Sequence, residues 1–464
     1  MSKRERYKRL LIFSMSSIIM ILQTIIFACT WLFAYSESGS NYFVRGNYTV
    51  IALYALMMYF FYKLYGGFKI GQLRIFEMLY SQILSVLCVN AITYLQLCLI
   101  GRWKLFTQMG PILKMTLIDI AVVILYVLVT RWIYVKLYPP RKLLVVYGRY
   151  SPDNLIRKLE TRADKYTVQE TVSIDEDIEL IKSKIAKSQN VMLADIPADL
   201  RNELVKFCFR KNVRCYSVPK ISDVMIRSSK EINLFDTALL LFRNKGGISP
   251  EMGFIKRFCD VLFSLVCIIL SSPIMLIIAL AIKLYDGGPV LFAQDRLTKD
   301  GKVFRLYKFR SMRVEKEDAE YQMTRKDDDR ITPVGNIIRN IHFDELPQIF
   351  NILKGDMSFV GPRPECPEIA EQYTKIVPEF GFRLKVKAGL TGLAQVYGKY
   401  NTTPYDKLKL DIEYIENYSI WLDFKLVLLT FKILFEKENT EGLEEWQKTA
   451  ATRENLDNLS KEEE

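Results

Sequence analysis

Four apolar runs, at 10–34, 48–65, 76–100 and 115–138, each come close to the ~20 residues that a helix needs to cross a hydrocarbon core. They are expected to form a four-helix transmembrane bundle at 1–140. The first run follows Lys3, Arg4, Arg6, Lys8 and Arg9, but it is too long for a secretory leader and lacks a small-residue cleavage site, so it reads as a retained anchor. With the N-terminus in the cytoplasm, the inner flanks carry those five with Lys63, Lys69, Arg74, Arg131, Lys136, Arg141 and Lys142, against Arg45, Arg102, Lys104 and Lys114 outside. Twelve against four places everything after Tyr138 in the cytosol.

From 141 to 250 short β-rich runs alternate with amphipathic stretches; "KLLVVYG", "NVMLAD" and "VRCYSV" are the clearest strands. Such wiring gives a parallel sheet in a Rossmann-like cytosolic α/β module. A dinucleotide site needs G-x-G-x-x-G after the first strand, whereas the turn here, "YGRYSPDN", has only Gly148. The module is therefore read as lacking a cofactor and is assigned to assembly or regulation. The eight cysteines include no CxxC and read as reduced, and a single histidine argues against an imidazole-based zinc site. The net charge of +12 fits an anionic membrane face and phosphorylated ligands. No zinc-finger or RNA-recognition spacing favours nucleic acid as a partner.

A fifth apolar run, 261–282, is long enough to span, but a crossing would put the polar C-terminal half outside the cytosol. Ser272 and Pro273 at its middle offer a break: proline removes a backbone donor, and serine hydroxyls satisfy the carbonyls this frees. Lys256 and Arg257 before the run and Lys283 after it agree with two cytoplasmic ends. A re-entrant membrane helix is expected, with a kinked spanning helix as the alternative. The stretch at 420–435 is interrupted by Asp423, Lys425 and Lys432 and is expected to lie in the interface. A charged tail follows at 441–464.

Four blocks carry the chemistry: "LYKFRSM" (306–312), "DDDRITPVGNIIRNIHFDELPQIFNILKGDMSFVGPRPE" (327–365), "KAGLTGLAQVYGKYN" (387–401) and "LKLDIEYIENYS" (408–419). Asp344 and Glu345 suit a helix N-terminus, where anions are favoured. A carboxylate that attacks phosphorus forms an acyl phosphate, dividing one difficult transfer into two easier ones. The transition state also needs cations. Arg339 lies five residues before Asp344, and Arg363, fixed between Pro362 and Pro364, suits bidentate phosphate binding. Lys308 and Arg310 alternate with apolar residues, as on a strand with one basic face. Thr391 and Gln395 sit in a glycine-bounded turn that could offer hydrogen bonds to a ligand. The run Asp327, Asp328 and Asp329 reads mainly as a solvated loop.

In order, K-F-R-S-M, D-E-L-P-Q, K-G-D-M-S and V-G-P-R-P resemble the bacterial sugar transferases, the polyprenyl-phosphate hexose-1-phosphate transferases of the monotopic phosphoglycosyl transferase superfamily. The helices and α/β module before them resemble its long, multi-domain members. The resemblance implies a mainly helical catalytic domain at 251–440 with Asp344 as nucleophile. Glu345 is then either a Mg²⁺ ligand beside Asp344 or a base on the acceptor. It further implies transfer of a hexose 1-phosphate, of glucose or galactose type, from a UDP-sugar to undecaprenyl phosphate with release of UMP. Such an enzyme would begin exopolysaccharide, capsule or O-antigen assembly at the cytoplasmic face of the bacterial inner membrane, with the lipid bilayer as a partner and a homodimer as an assembly. Family members commonly have a small hydroxyl residue and then leucine before the aspartate; here stand His342 and Phe343. The histidine either touches the site or fills space. Two rivals are a membrane scaffold or sensor with a degenerate transferase domain, and direct transfer in a ternary complex with Mg²⁺.

Overall fold

Long apolar helices and a parallel sheet make up the first part of the chain, and a second compact unit begins at Pro219. The computed structural model describes residues 7–35, 44–100, 108–148, 152–242, 247–312, 330–398 and 402–433. Asp327, Asp328, Asp329 and the tail at 441–464 lie outside the described residues.

In the first unit, Met1–Val218, helices α1 (Lys8–Thr30, continued by the π-helical turn Trp31–Tyr35), α2 (Val44–Tyr65), α3 (Ile75–Ile100) and α4 (Gly110–Leu137) share one apolar core. Ile19, Phe27, Met58, Val86 and Val123 are buried there. Ile25, Leu56 and Leu117 stay more than half exposed on the outer faces, as on helices whose outer solvent is lipid. Polar side chains turn inward: the Tyr54 hydroxyl donates to Asn90 Oδ1 (3.0 Å), and Asn90 Nδ2 donates to Asp119 Oδ2 (3.2 Å). Such bonds join helices where water cannot compete.

Strands β1 (Arg141–Tyr147), β2 (Tyr166–Ser173), β3 (Asn190–Ala194) and β4 (Arg214–Ser217) form a parallel sheet in the order β2-β1-β3-β4. The connecting helices are α5 (Asp153–Glu160), α6 (Ile178–Lys187) and α7 (Ala198–Arg210). Leu143, Leu144, Val145 and Val146 are all buried because both faces of β1 are covered, Leu144 and Val146 among Ile181, Ile185 and Leu204, Leu143 and Val145 beside Leu159. A Cβ at Gly148 would stand 1.8 Å from the Asp195 carbonyl oxygen, so this glycine serves the close approach of two loops at the end of the sheet.

The second unit opens with α8 (Ile221–Arg227) and an exposed hairpin, β5 (Lys230–Leu234) and β6 (Thr237–Leu241). The sequence grouped 219–250 with the α/β module, but the sheet closes at β4, and Ile221 and Val224 pack with Phe380, Leu408 and Ile412 of the second unit. Helix α9 (Pro250–Asp286) follows, then the antiparallel pair β7 (Leu291–Leu297) and β8 (Val303–Phe309), α10 (Pro333–Asn340), a 3-10 turn (Phe343–Glu345), α11 (Gln348–Lys354) and β9 (Ser358–Val360). Then come α12 (Pro367–Ile376), a 3-10 stretch (Pro378–Lys385), β10 (Gly389–Thr391), which pairs with β9, α13 (Leu393–Tyr397), α14 (Pro404–Glu416) and α15 (Ile420–Ile433).

Among the described residues five helices, the four of the first unit and α9, are long and apolar enough to cross a membrane. Ser272 and Pro273 lie within α9, which is helical on both sides of them. Pro273 cannot donate to the Ile269 carbonyl, and Ser272 Oγ takes that acceptor at 2.9 Å, while Ser271 Oγ donates to the Cys267 carbonyl at 2.6 Å.

Candidate functional site

Helix α11 is anchored at both ends, and the acidic pair precedes its first turn. At its C-terminus Arg257 donates to the carbonyls of Ile352 (2.6 Å) and Leu353 (2.7 Å), and Lys387 donates to that of Gly355 (2.7 Å), so two cations answer the negative end of the helix. Buried Asn351 ties it sideways to β8: Nδ2 donates to the Arg305 carbonyl (2.7 Å), and Oδ1 accepts from the Tyr307 amide (3.0 Å). Ahead of α11 the backbone passes through His342 at φ 57°, a left-handed conformation that costs of order 1–3 kcal/mol outside glycine. Phe343 then enters an apolar cluster with Met275, Ile278, Ile282, Phe309 and Ile338, which fixes the turn carrying Asp344 and Glu345.

Glu345 is held by two cations. Its Oε1 accepts from Lys308 Nζ at 2.8 Å and from Arg363 Nη2 at 3.0 Å. Burial alone would raise its carboxyl, but the Lys308 and Arg363 charges outweigh burial and hold it far below the usual range. Asp344 differs. It is half-buried and, among the described residues, accepts no hydrogen bond and forms no ion pair. Burial pushes its carboxyl up, Lys308 opposes this, Glu345 adds to it, and Arg339 and His342 oppose it more weakly. Two neighbouring carboxylates are thus driven apart in acidity by their surroundings.

The structure brings Lys308, Arg339, Arg363 and His342 around the acidic pair. Arg310 is buried with its guanidinium against Gly288, where an added Cβ would stand 2.4 Å from Nη1. The Thr391 hydroxyl is bonded to that of Thr430 on α15 (2.6 Å), and both polar atoms of the Gln395 amide are buried without a partner among the described residues. His342 Nδ1 is likewise buried and unpartnered.

A second ionic group lies under the loop that carries Arg363. Arg383, 2% exposed, donates to the Arg363 carbonyl (2.9 Å) and meets Glu365 (3.3 Å) and Asp411 (2.9 Å), the last itself 1% exposed. Lys407 also binds Glu365. Burial would raise Glu365, but Lys407 and Arg383 bring it down to about 2; at Asp411 burial prevails over Arg383 and raises the carboxyl. Arg383 lies in no quoted block and its sequence gave no signal. Glu365 and Asp411 fall inside two blocks, where their partners are not visible.

Mg²⁺ prefers oxygen ligands and is commonly held by one or two carboxylates together with substrate phosphates. Asp344 and the second oxygen of Glu345 fit that description. Among the described residues, no group of three or more His, Cys, Asp or Glu could hold a metal by itself.

The sequence model of bacterial sugar transferases matches residues 251–437. The chain is 38% identical over 244 residues to a UDP-N-acetylgalactosamine-undecaprenyl-phosphate N-acetylgalactosaminephosphotransferase of Aeromonas hydrophila, covering 51% of this chain and 56% of that protein. It is 45% identical over 180 residues to a UDP-glucose:undecaprenyl-phosphate glucose-1-phosphate transferase of Klebsiella pneumoniae, covering 38% of this chain and 39% of that protein. A protein of the same description from Caulobacter vibrioides is 38% identical over 215 residues, 45% of this chain and 80% of its own length. The chain thus spans about half the length of the first relatives it matches, 56% and 39%.

Proposed function

The chain belongs to the bacterial sugar transferase family, and on that premise we propose that it moves a hexose 1-phosphate, of glucose or galactose type, from a UDP-sugar to undecaprenyl phosphate and releases UMP. Asp344 carries the reading: a carboxylate that is unbonded among the described residues, beside a carboxylate that two cations already hold. The Asp344 carboxylate attacks the β-phosphorus of the donor, the bond from that phosphorus to the bridging oxygen breaks, and UMP leaves with the electron pair. The resulting acyl phosphate carries the sugar. A phosphate oxygen of the acceptor then attacks the same phosphorus and displaces the carboxylate, giving the lipid diphosphate sugar and free Asp344. Lys308 and Arg363 hold Glu345 ionised and lie where charge on the phosphoryl oxygens must be balanced, with Arg339 at the edge of the same field. With its carboxyl held so low, Glu345 is a weak base, which favours its orienting the cations and sharing Mg²⁺ with Asp344. Bound Mg²⁺ supplies neutralisation of the diphosphate.

The four N-terminal helices form a transmembrane bundle, the parallel sheet a Rossmann-like cytosolic module, and both ends of α9 lie at the cytoplasmic face of the inner membrane. Packing of both halves of α9 supports this. Arg257 binds the end of α11, and Asp260 accepts from Ser358 Oγ (3.0 Å) and the Phe359 amide (3.2 Å). Some twenty residues on, Met275, Ile278 and Ile282 pack on Phe309 and Ile338 of the same unit. Ile269 and Leu270 between them are 71% and 72% exposed, a surface for lipid.

Purified protein with Mg²⁺, undecaprenyl phosphate and a panel of UDP-sugars should release UMP and form a lipid-linked sugar with one or two donors. A folded protein that releases UMP with none of them would refute the proposal.

A further inference from the structure

We infer that the cavity behind the loop at 362–364 takes the nucleoside end of the donor, an inference that rests on the donor being a UDP-sugar. The cavity encloses about 250 Å³, with Leu297, Pro362, Ala370, Phe380, Gly381 and Leu384 among its walls and Arg363, Glu365 and Arg383 at its charged side. Sites that enclose a whole ligand run to about 300–1,000 Å³. This one has room for a heterocycle and part of its sugar, with the diphosphate left outside.

Arg363 joins the two places. The residue lines the cavity, and its guanidinium binds Glu345 beside Asp344. A nucleotide seated with its ring in the cavity would therefore run its phosphates along Arg363 toward the carboxylate that attacks them. Arg383 fixes that span from below: it lines the cavity and donates to the Arg363 carbonyl at 2.9 Å. The apolar walls suit the face of a base, and the cation suits the phosphate that follows it.

An isoprenoid tail would suit apolar walls too, but it arrives from the bilayer, along the long apolar helix. No residue of α9 belongs to the apolar clusters that hold Ala370, Phe380, Val386 and Ala388, four of the lining side chains. The α9 contacts gather instead around Phe309, Ile338 and Phe343. The cavity walls thus share no apolar cluster with the long apolar helix, which favours a water-soluble nucleotide over a lipid tail.

Gly381 makes the idea testable. It lines the cavity, its φ is outside the left-handed region, and an added Cβ would meet no atom within 4 Å. Gly381→Trp fills the cavity without displacing backbone, and Thr374→Trp does so from a second exposed position. With full-length protein in lipid nanodiscs, each variant should raise the Kd for UMP and the KM for the UDP-sugar at least tenfold. The KM for undecaprenyl phosphate should stay within twofold, and Tm should be unchanged. Irradiation of wild-type protein with 5-iodo-UMP should label peptides from α12 or from 378–385. Folded variants that bind UMP as the wild type does, a rise in acceptor KM in place of donor KM, or label confined to other peptides would each overturn the inference while leaving the transferase proposal intact. A wild-type protein that binds no UMP and turns over no UDP-sugar would overturn both.

Discussion

Replacing Arg383 by methionine keeps most of the side-chain volume and removes the guanidinium that meets the buried Asp411 carboxylate at 2.9 Å. Removing one partner of a buried pair costs about 3–5 kcal/mol, because the other charge is left in a poorly polarisable interior. In a unit of about 150–250 residues each kcal/mol lowers Tm by about 2–4 °C, so the second unit should melt roughly 6–20 °C earlier. The deficit should depend on pH in a stated direction. The Asp411 carboxyl is already raised by burial against the opposing pull of Arg383, so loss of the arginine raises it further. Lowering the pH then neutralises the orphaned acid, and the deficit should shrink. Glu365 keeps Lys407 and should change less. Arg383→Met combined with Asp411→Asn should recover part of the loss, a coupling of about 0.5–3 kcal/mol. Arg383 also holds the Arg363 carbonyl, so donor KM should rise about tenfold, or about 1.4 kcal/mol. Melting curves of the full-length protein in detergent at pH 8 and pH 5.5, with donor kinetics, read all of this. A shift below about 2 °C, or a deficit that grows as pH falls, would refute the reasoning.

The pH dependence of kcat/KM should show an acid limb above the ~3.9 of an ordinary aspartate, because burial raises Asp344, and Lys308→Met should move the limb higher; movement downward would contradict the assignment. A chain beginning at Pro219 should keep sugar-phosphate transfer, whereas one beginning at Gly253 loses Ile221 and Val224 from their cluster and should be less stable by roughly 3–6 kcal/mol, read by thermal melting. Equal stability of the two would show that α8 is dispensable. Glu251→Cys and Leu284→Cys, in a background without reactive cysteines, should both resist an impermeant thiol reagent added outside cells. Labelling of the second alone would mean that α9 spans the membrane.

The apolar runs were legible because length and hydropathy directly report on a helix in lipid, and the two central strands, β1 and β3, because Leu143–Val146, Val191 and Leu193 are buried as their composition demands. Strand β2, at the sheet edge, went unnamed: "YTVQETVS" exposes Gln169 and Glu170 and lacks an apolar run. The acidic pair and Arg363 were legible as motifs, but their unequal acidity was not. It arises from the hydrogen bonds that Glu345 accepts from Lys308, thirty-seven residues away along the chain, and from Arg363. Arg257 looked like a topological flank and proves to cap α11 ninety-five residues away. Such pairs depend on the fold closing, and adjacent sequence carries no trace of them.

The covalent role of Asp344 is tested most directly by intact-protein mass spectrometry of purified protein given Mg²⁺ and a UDP-sugar donor with no lipid acceptor. One hexose phosphate should add to the protein at Asp344 as an equal amount of UMP appears, and later addition of undecaprenyl phosphate should remove it. Asp344→Asn, still folded and membrane-bound, should show neither the adduct nor UMP. Release of UMP only when the acceptor is present, with no adduct, or turnover by Asp344→Asn above a tenth of wild type, would contradict the covalent route.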